Sequence, residues 1–183
     1  MTELLDQPLP LEVLNKYQFV APVIAINTSR HFEPFHNLRK QSRETMHEFQ
    51  GVMCGPYVAL TAVHGPTQPL IVLAAYVPFP TEGTRRETQP TDQEAAELER
   101  NVMALPQLIQ RRALYHHFHP GHGIFLSDTD IRTAASLRRM NVARGPLLLG
   151  VSDPTRSTEG IFHCETTIFY WNSRSYEPCY EEK

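Results

Sequence analysis

The sequence is poor in cysteine and contains no long hydrophobic run. Its three cysteines, Cys54, Cys164 and Cys179, are odd in number, lie far apart and form no C-x-x-C pair, which argues against a disulfide framework or a thiolate metal site. No stretch approaches the roughly 18 apolar residues that a membrane-spanning helix needs. The segment 1–17 has an acidic start and two prolines, unlike a secretory signal peptide. We therefore expect a reduced, cytoplasmic protein that does not enter a membrane.

An excess of positive charge is also missing. The 183 residues include 17 Lys and Arg against 20 Asp and Glu, a net charge of -3, and this balance disfavours nucleic acid as a partner. With 41% hydrophobic residues, the chain has the length and composition of one globular domain, residues 1–183. Within it we assign 1–17 to an irregular amino-terminal arm and 172–183 to a carboxyl-terminal tail.

Hydrophobic patterning predicts an α/β fold with a curved mixed sheet flanked by helices. About six or seven strands are expected to pack against the helices, two of which are long. The predicted strands are 18–27, 48–55, 57–65, 69–79, 112–120, 145–154 and 159–172, and the predicted helices are 34–46, 94–112 and 127–140.

Several of these segments carry a more specific expectation. The continuous apolar run 69–79 is typical of a single strand buried on both faces. The polar, aperiodic residues 79–93 predict an exposed loop. Thr91 and Glu94 have the spacing of a capping box at the start of the second helix, which Pro106 is expected to kink or end. Gly51, inside a predicted strand, indicates a bulge or the close approach of another backbone.

The histidines are concentrated in YHHFHPGHGIFLSDTDIRT, residues 115–133, which holds four of the nine. His117 and His119 are two positions apart, so on an extended backbone their rings project to the same side, with Cα atoms about 6 to 7 Å apart. Two imidazoles in that arrangement can bind one metal ion. His116 points the opposite way and is interpreted as a hydrogen-bonded core histidine, and His122, between two glycines, as a loop residue.

A third ligand is expected from the helix that follows. Asp130 lies in its first turn, and two histidines with one carboxylate, plus a fourth position for water, make the donor set of a catalytic zinc site. A non-catalytic interpretation also stands, because Ser127 and Asp130 have the S-x-x-D spacing of a capping box. The spacing alone does not decide between these two roles.

The motif H-x-H-P, followed after seven residues beyond His119 by S-x-x-D, resembles the signature of the JAMM (MPN+) zinc metalloprotease family. EFQGVMCG at 48–55 is similar to the glutamate-bearing strand of that family, and LLLGVSDP and GIFHCETT resemble its late strands. The resemblance covers roughly residues 30–170 and implies an MPN fold.

By this resemblance His117, His119 and Asp130 are the zinc ligands. It makes Glu48 the general acid/base that accepts a proton from the attacking water and returns it to the leaving amine. Ser127 becomes the donor to the oxyanion of the tetrahedral intermediate. The implied activity is cleavage of ubiquitin or a ubiquitin-like protein after its carboxyl-terminal tail, with loop 79–93 as a flap and E1- or E2-like proteins as operon partners.

Two departures from the family pattern qualify this implication. Phe118 stands between the histidines where the family usually has Ser or Thr, and a different packing or substrate fit is expected there. No Cys and His set for a second, structural zinc stands in the short segment directly after Asp130, so specificity for a particular ubiquitin linkage is not implied.

Two other zinc-enzyme motifs do not fit the sequence, and two functions within the same fold stay open. A zincin motif H-E-x-x-H beginning at His47-Glu48 fails because its fifth position is Gly51, and the paired H-x-E and P-C-x-x-C signature of zinc deaminases does not occur. An MPN scaffold that has lost activity and a hydrolase acting on sulfur-carrier precursors stay as alternatives.

Overall fold

The computed structural model describes residues 2–4, 23–26, 30–60, 68–80, 91–139, 148–156, 165–171 and 176–182. These residues contain three α-helices: α1 (Glu33–Thr45), α2 (Asp92–Met103) and α3 (Asp128–Arg139). They contain ten strands: β1 (Thr2–Leu4), β2 (Val23–Ile26), β3 (Gln50–Cys54), β4 (Tyr57–Leu60), β5 (Gln68–Leu73), β6 (Ala75–Pro78), β7 (Arg112–Phe118), β8 (Leu148–Asp153), β9 (Glu165–Trp171) and β10 (Tyr176–Glu182).

The strands form two sheets, and the larger one is mixed as predicted. Its order is β10-β9-β8-β7-β3-β6, with β7 and β8 parallel and the other neighbours antiparallel. The smaller sheet has the order β1-β4-β5-β2. The amino-terminal arm and the carboxyl-terminal tail of the sequence prediction thus contribute β1 and β10. An α/β fold with a mixed sheet is confirmed.

The six-stranded sheet has a hydrophobic core on each face. On one face α1 packs through Phe35, which is fully buried with Phe118 and Tyr76. On the other face α2 packs through Leu98 and Val102. Because neighbouring residues of a strand point to opposite faces, β7 contributes side chains to both cores.

The prediction of one strand over 69–79 is wrong. The run is divided at Ala74 into β5 of the small sheet and β6 of the large sheet. The adjacent segment of the same chain also passes from the large sheet to the small one, between β3 and β4. Pro56 lies at this point, and it has no amide hydrogen for a strand-to-strand hydrogen bond. The amide of Ala74 donates to the Cys54 carbonyl at 2.8 Å, and the amide of Val72 donates to the Pro56 carbonyl at 3.0 Å. The two segments are therefore hydrogen-bonded on both sides of the bend.

The predicted helix 94–112 is also too long. Helix α2 ends at Met103, three residues before Pro106, and residues 107–109 form a short 3-10 turn that leads into β7. The side chain of Gln110 donates to the carbonyls of Met103 and Leu105, which satisfies groups that the interrupted helix leaves open. The capping box of Thr91 and Glu94 is confirmed at the start of the helix.

Gly51 marks a close approach, one of the two outcomes predicted for it. A Cβ atom there would lie 2.7 Å from the Val77 carbonyl oxygen on β6 and 2.6 Å from Tyr76. Loop 79–93 lies largely outside the described residues, which resume at residue 91. None of the helices within the described ranges has both the length and the apolar character needed to cross a membrane.

Candidate metal centre

The two histidine candidates lie where β7 leaves the sheet. Phe118 is the last residue of β7 and pairs with Ser152 of the parallel strand β8. The amide of His119 still donates to the Ser152 carbonyl at 2.8 Å, so the extended path continues one residue beyond the strand. This path places the rings of His117 and His119 on the same side, with centroids 4.5 Å apart.

Asp130 reaches the histidines from the first turn of α3. The amide of Ser127 donates to Oδ2 of Asp130 at 2.6 Å, and the amide of Asp130 donates to Oγ of Ser127 at 3.2 Å. These two bonds are a reciprocal capping box. The box holds the carboxylate with its other oxygen, Oδ1, 3.0 Å from Nε2 of His117. Capping and ligand placement are therefore compatible roles of the same pair of residues.

The three side chains form a compact, buried donor set. His117, His119 and Asp130 are 5%, 3% and 5% exposed, and one donor atom from each lies within 4.8 Å of the others. The two Nε2 atoms are 2.9 Å apart, and Oδ2 of Asp130 is 3.8 Å from Nε2 of His119. Donor atoms around a tetrahedral zinc ion are separated by about 3.3 Å. The group can therefore hold a metal ion with small adjustments.

The protonation states also suit a metal ligand set. Burial, together with the neighbouring His117, lowers the pKa of His119 to about 4. Burial acts in the opposite direction on Asp130, but hydrogen bonds from His117 and Ser127 outweigh it and hold the pKa of Asp130 well below its ordinary value. At neutral pH His119 is thus uncharged with a lone pair, and Asp130 is ionised. Both groups are in the forms that bind metals.

The second nitrogen of each candidate ligand ring, Nδ1, shows how the rings are held. Nδ1 of His117 and Nδ1 of His119 are buried without a hydrogen-bond partner among the described residues. Buried polar atoms normally have partners. Packing and the contacts of the two Nε2 atoms, which converge on one point, therefore hold the rings, and the Gly123 backbone also interacts with His119.

Glu48 lies at the open side of this donor set. It lies two residues before β3, and the carbonyl of the next residue, Phe49, accepts from the amide of Phe118 at 2.9 Å. This pairing brings Oε1 of Glu48 to 4.0 Å from Nε2 of His119, with the side chain 19% exposed. At that separation a single water molecule can contact both groups.

The other predicted roles around the site agree with the geometry. His116 is fully buried on the opposite face, with Nε2 2.7 Å from Oγ of Ser152. Phe118 points into the same core as His116, away from the donor set. His122 is exposed. Cys54 is a core thiol whose pKa burial raises to about 12, which excludes a nucleophilic role at neutral pH.

Two residues near the site carried no expectation from the sequence. The ring of Phe125 lies 5.3 Å from the ring of His119 and is 49% exposed, so it forms an apolar edge of the site. Asp153 ends β8 and binds the loop after His119. An aspartate at the end of a buried strand was the available signal for Asp153, whereas a lone aromatic residue gave none for Phe125.

The chain matches no protein-family model, and no curated protein is significantly similar to it. The comparisons therefore identify no family. A buried His117, His119 and Asp130 group that can bind a metal ion, in a mixed α/β fold, is what the structure establishes, and it is consistent with a metal-dependent enzyme.

Proposed function

We propose that this protein is a zinc-dependent peptidase or isopeptidase of the JAMM (MPN+) type. The observation that carries the proposal is the convergence of His117, His119 and Asp130 on one point, with the Glu48 carboxylate beside them. Four side chains from the end of β7, from the segment before β3 and from α3 meet there, although the first and the last are 82 positions apart in the sequence. An arrangement of this kind serves catalysis more readily than it serves packing, since it gathers several buried ionisable groups at one point.

Zinc is the metal that fits the donors best. Two neutral imidazoles and one carboxylate are common ligands of catalytic zinc, and such sites leave a fourth position for water or substrate. A zinc ion bound there supplies a Lewis acid that polarises a carbonyl group and makes water a better nucleophile at neutral pH. The chain's own residues must then position the water, move its proton and stabilise the developing negative charge.

Glu48 is proposed as the group that moves the proton. Its carboxylate stands within reach of a water molecule at the open side of the donor set. It can accept the proton of the attacking water and return it to the leaving amine. Its partial exposure keeps it accessible to substrate, unlike the buried Asp130.

Ser127 is proposed as the donor to the oxyanion of the tetrahedral intermediate. Its hydroxyl oxygen accepts from the Asp130 amide, and a hydroxyl that accepts still has its own proton to donate. The capping box fixes the position of this residue relative to Asp130. A fixed donor of this type is typically worth a few kcal/mol in the transition state.

The proposed substrate is the peptide or isopeptide bond after the extended tail of ubiquitin or a ubiquitin-like protein. An extended tail can pair with strand edges through its main chain. A conjugate and a precursor, including a sulfur-carrier precursor, share this chemistry, and E1- or E2-like proteins are the expected partners. The complete donor set with Glu48 argues against a scaffold that has lost activity.

The test combines metal analysis with a substrate panel. Purified protein should contain about one zinc per chain and should cleave at least one member of a panel of ubiquitin-like fusions. Chelation should abolish cleavage, and zinc should restore it. Cleavage that is unaffected by thorough removal of metal would refute the proposal.

A further inference from the structure

Asp153 forms an unusual cluster of hydrogen bonds at the end of β8. Its carboxylate is fully buried. Oδ1 accepts from the Gly121 amide at 3.0 Å, from the Thr155 amide at 3.0 Å and from the Thr155 hydroxyl at 2.6 Å. Oδ2 accepts from the Gly123 amide at 3.1 Å and lies 3.6 Å from Nε of Arg156.

The cluster lies where the metal-binding segment loses the support of the sheet. The last ladder bond joins the His119 amide to the Ser152 carbonyl, and the next fixed point is the capping box at Ser127. The intervening loop contains Gly121 and Gly123 at φ of 77° and 83°, a conformation that side chains other than glycine rarely adopt. Asp153 binds both of these glycine amides and therefore anchors the middle of the loop.

A carboxylate is required for this contact. Each of its two oxygens accepts from a different loop amide, and an amide side chain would offer only one acceptor oxygen and place a donor against the second amide. The hydrogen bonds also lower the pKa of Asp153 despite its burial. The loop thus depends on an ionised group whose hydrogen bonds go to the loop and to Thr155.

We infer that Asp153 is a positioning residue for the metal centre. By fixing the loop between His119 and Ser127, it sets the distance between the histidine pair on the sheet and the carboxylate on α3. This inference rests on the proposed function. Groups that hydrogen-bond metal ligands directly typically contribute about 10- to 100-fold to metal affinity. Because Asp153 acts through the loop, a loss at the lower end, about tenfold, is expected when the anchor is weakened.

The experiment compares Asp153→Asn with the matched control Thr155→Val. The control removes one hydrogen bond to Oδ1 and leaves both loop bonds intact. Zinc affinity is measured by competition with a chromophoric chelator, the visible spectrum of the cobalt-substituted protein reports ligand geometry, and thermal unfolding without metal reports the fold. Asp153→Asn is expected to bind zinc about tenfold more weakly, with an altered cobalt spectrum, whereas Thr155→Val binds like the wild type.

The outcomes separate this inference from the proposed function. A wild-type protein that binds no zinc contradicts the proposed function. A wild type that binds zinc, with Asp153→Asn that loses thermal stability but keeps the same affinity and cobalt spectrum, overturns the role of Asp153 alone. Should Asp153→Asn fail to fold, hydrogen exchange of the wild type decides: Gly121 and Gly123 amides that exchange as fast as exposed loop amides overturn the inference, and slow exchange that slows further with zinc supports it.

Discussion

The two faces of β7 place the same residue type in opposite roles. His116 faces the core shared with α1, where Ser152 lies within hydrogen-bond distance at 2.7 Å and the Tyr76 hydroxyl lies 3.5 Å from Nδ1. His117, the next residue, faces the other way, with Nε2 directed at His119 and Asp130, and its Nδ1 has no hydrogen-bond partner in the described part of the chain. Both histidines are buried. Burial alone therefore does not identify a functional histidine, whereas convergence of donors with incomplete hydrogen bonding does.

The largest expected effect comes from His117→Ala. Removing one of three ligands should weaken zinc binding by more than about 100-fold, beyond the loss typical of supporting residues, and should abolish cleavage. Zinc content by mass spectrometry and cleavage of a responsive fusion check this.

His116→Ala is the matched control for that substitution. It should lower the free energy of unfolding by about 2–4 kcal/mol, because it leaves a cavity and leaves the Ser152 hydroxyl with Thr166 in place of two partners, and the folded fraction should still bind zinc. Equal loss of zinc from both variants would remove the distinction between the two faces.

Glu48→Gln should separate metal binding from catalysis. The variant retains zinc, because Glu48 is not a ligand, and it loses about 10²- to 10⁴-fold in kcat, since the proton acceptor is gone. Glu44→Gln is the control, as Glu44 is an exposed residue of α1 paired with Lys40. Normal turnover by Glu48→Gln would show that another group accepts the proton.

Ser127→Ala should affect both stability and rate. Loss of the cap costs about 0.5–2 kcal/mol of unfolding free energy, and loss of the oxyanion donor lowers kcat by about 10²- to 10³-fold. Thr91→Ala removes the corresponding cap from α2 and should reduce stability without changing kcat. If both variants reduce kcat equally, Ser127 acts only as a cap.

The smallest effect is on the pH dependence of stability without metal. Burial and the neighbouring His117 lower the pKa of His119 to about 4, against about 6.5 in an unfolded chain. Between these values the unfolded state binds more protons, so the free energy of unfolding should fall as pH decreases from about 6.5 to about 4. His116, whose pKa burial also lowers, contributes in the same direction.

Urea unfolding of the chelated protein at a series of pH values measures this dependence. His119→Gln should give a shallower slope over the same range, because one of the two depressed groups is gone. A slope identical to that of the wild type would mean that folding does not lower the pKa of His119.

The ligand set was accessible from the sequence because its information is local. The period of a strand puts His117 and His119 on one side, and the S-x-x-D spacing fixes Asp130 at a helix start. Glu48 is different, since its place depends on the pairing of β3 with β7, where Gln50 lies opposite His117. Residue patterns did not distinguish it from Glu44 or Glu97, and only the family resemblance selected it.

The errors have a common physical origin in tertiary context. The run 69–79 has uniform β propensity. It nevertheless passes from one sheet to the other at Ala74, because the segment hydrogen-bonded to it changes sheets at Pro56. Sequence patterns do not identify Asp153, because its role depends on the Gly121 and Gly123 amides that the tertiary fold places against its carboxylate. Local patterns thus predicted most helices and strands and the candidate metal ligands. Non-local packing determined where the strand over 69–79 is divided and which residue anchors the loop after His119.

X-ray absorption spectroscopy of the zinc-loaded protein tests the central claim most directly. We expect one zinc per chain, bound by two imidazole nitrogens and by oxygen ligands at about 2.0–2.2 Å, with no sulfur ligand. His117→Ala should retain little zinc, and any zinc that stays bound should show fewer imidazole ligands. Absence of stoichiometric zinc, or a sulfur ligand at about 2.3 Å, would contradict a metal centre built from His117, His119 and Asp130.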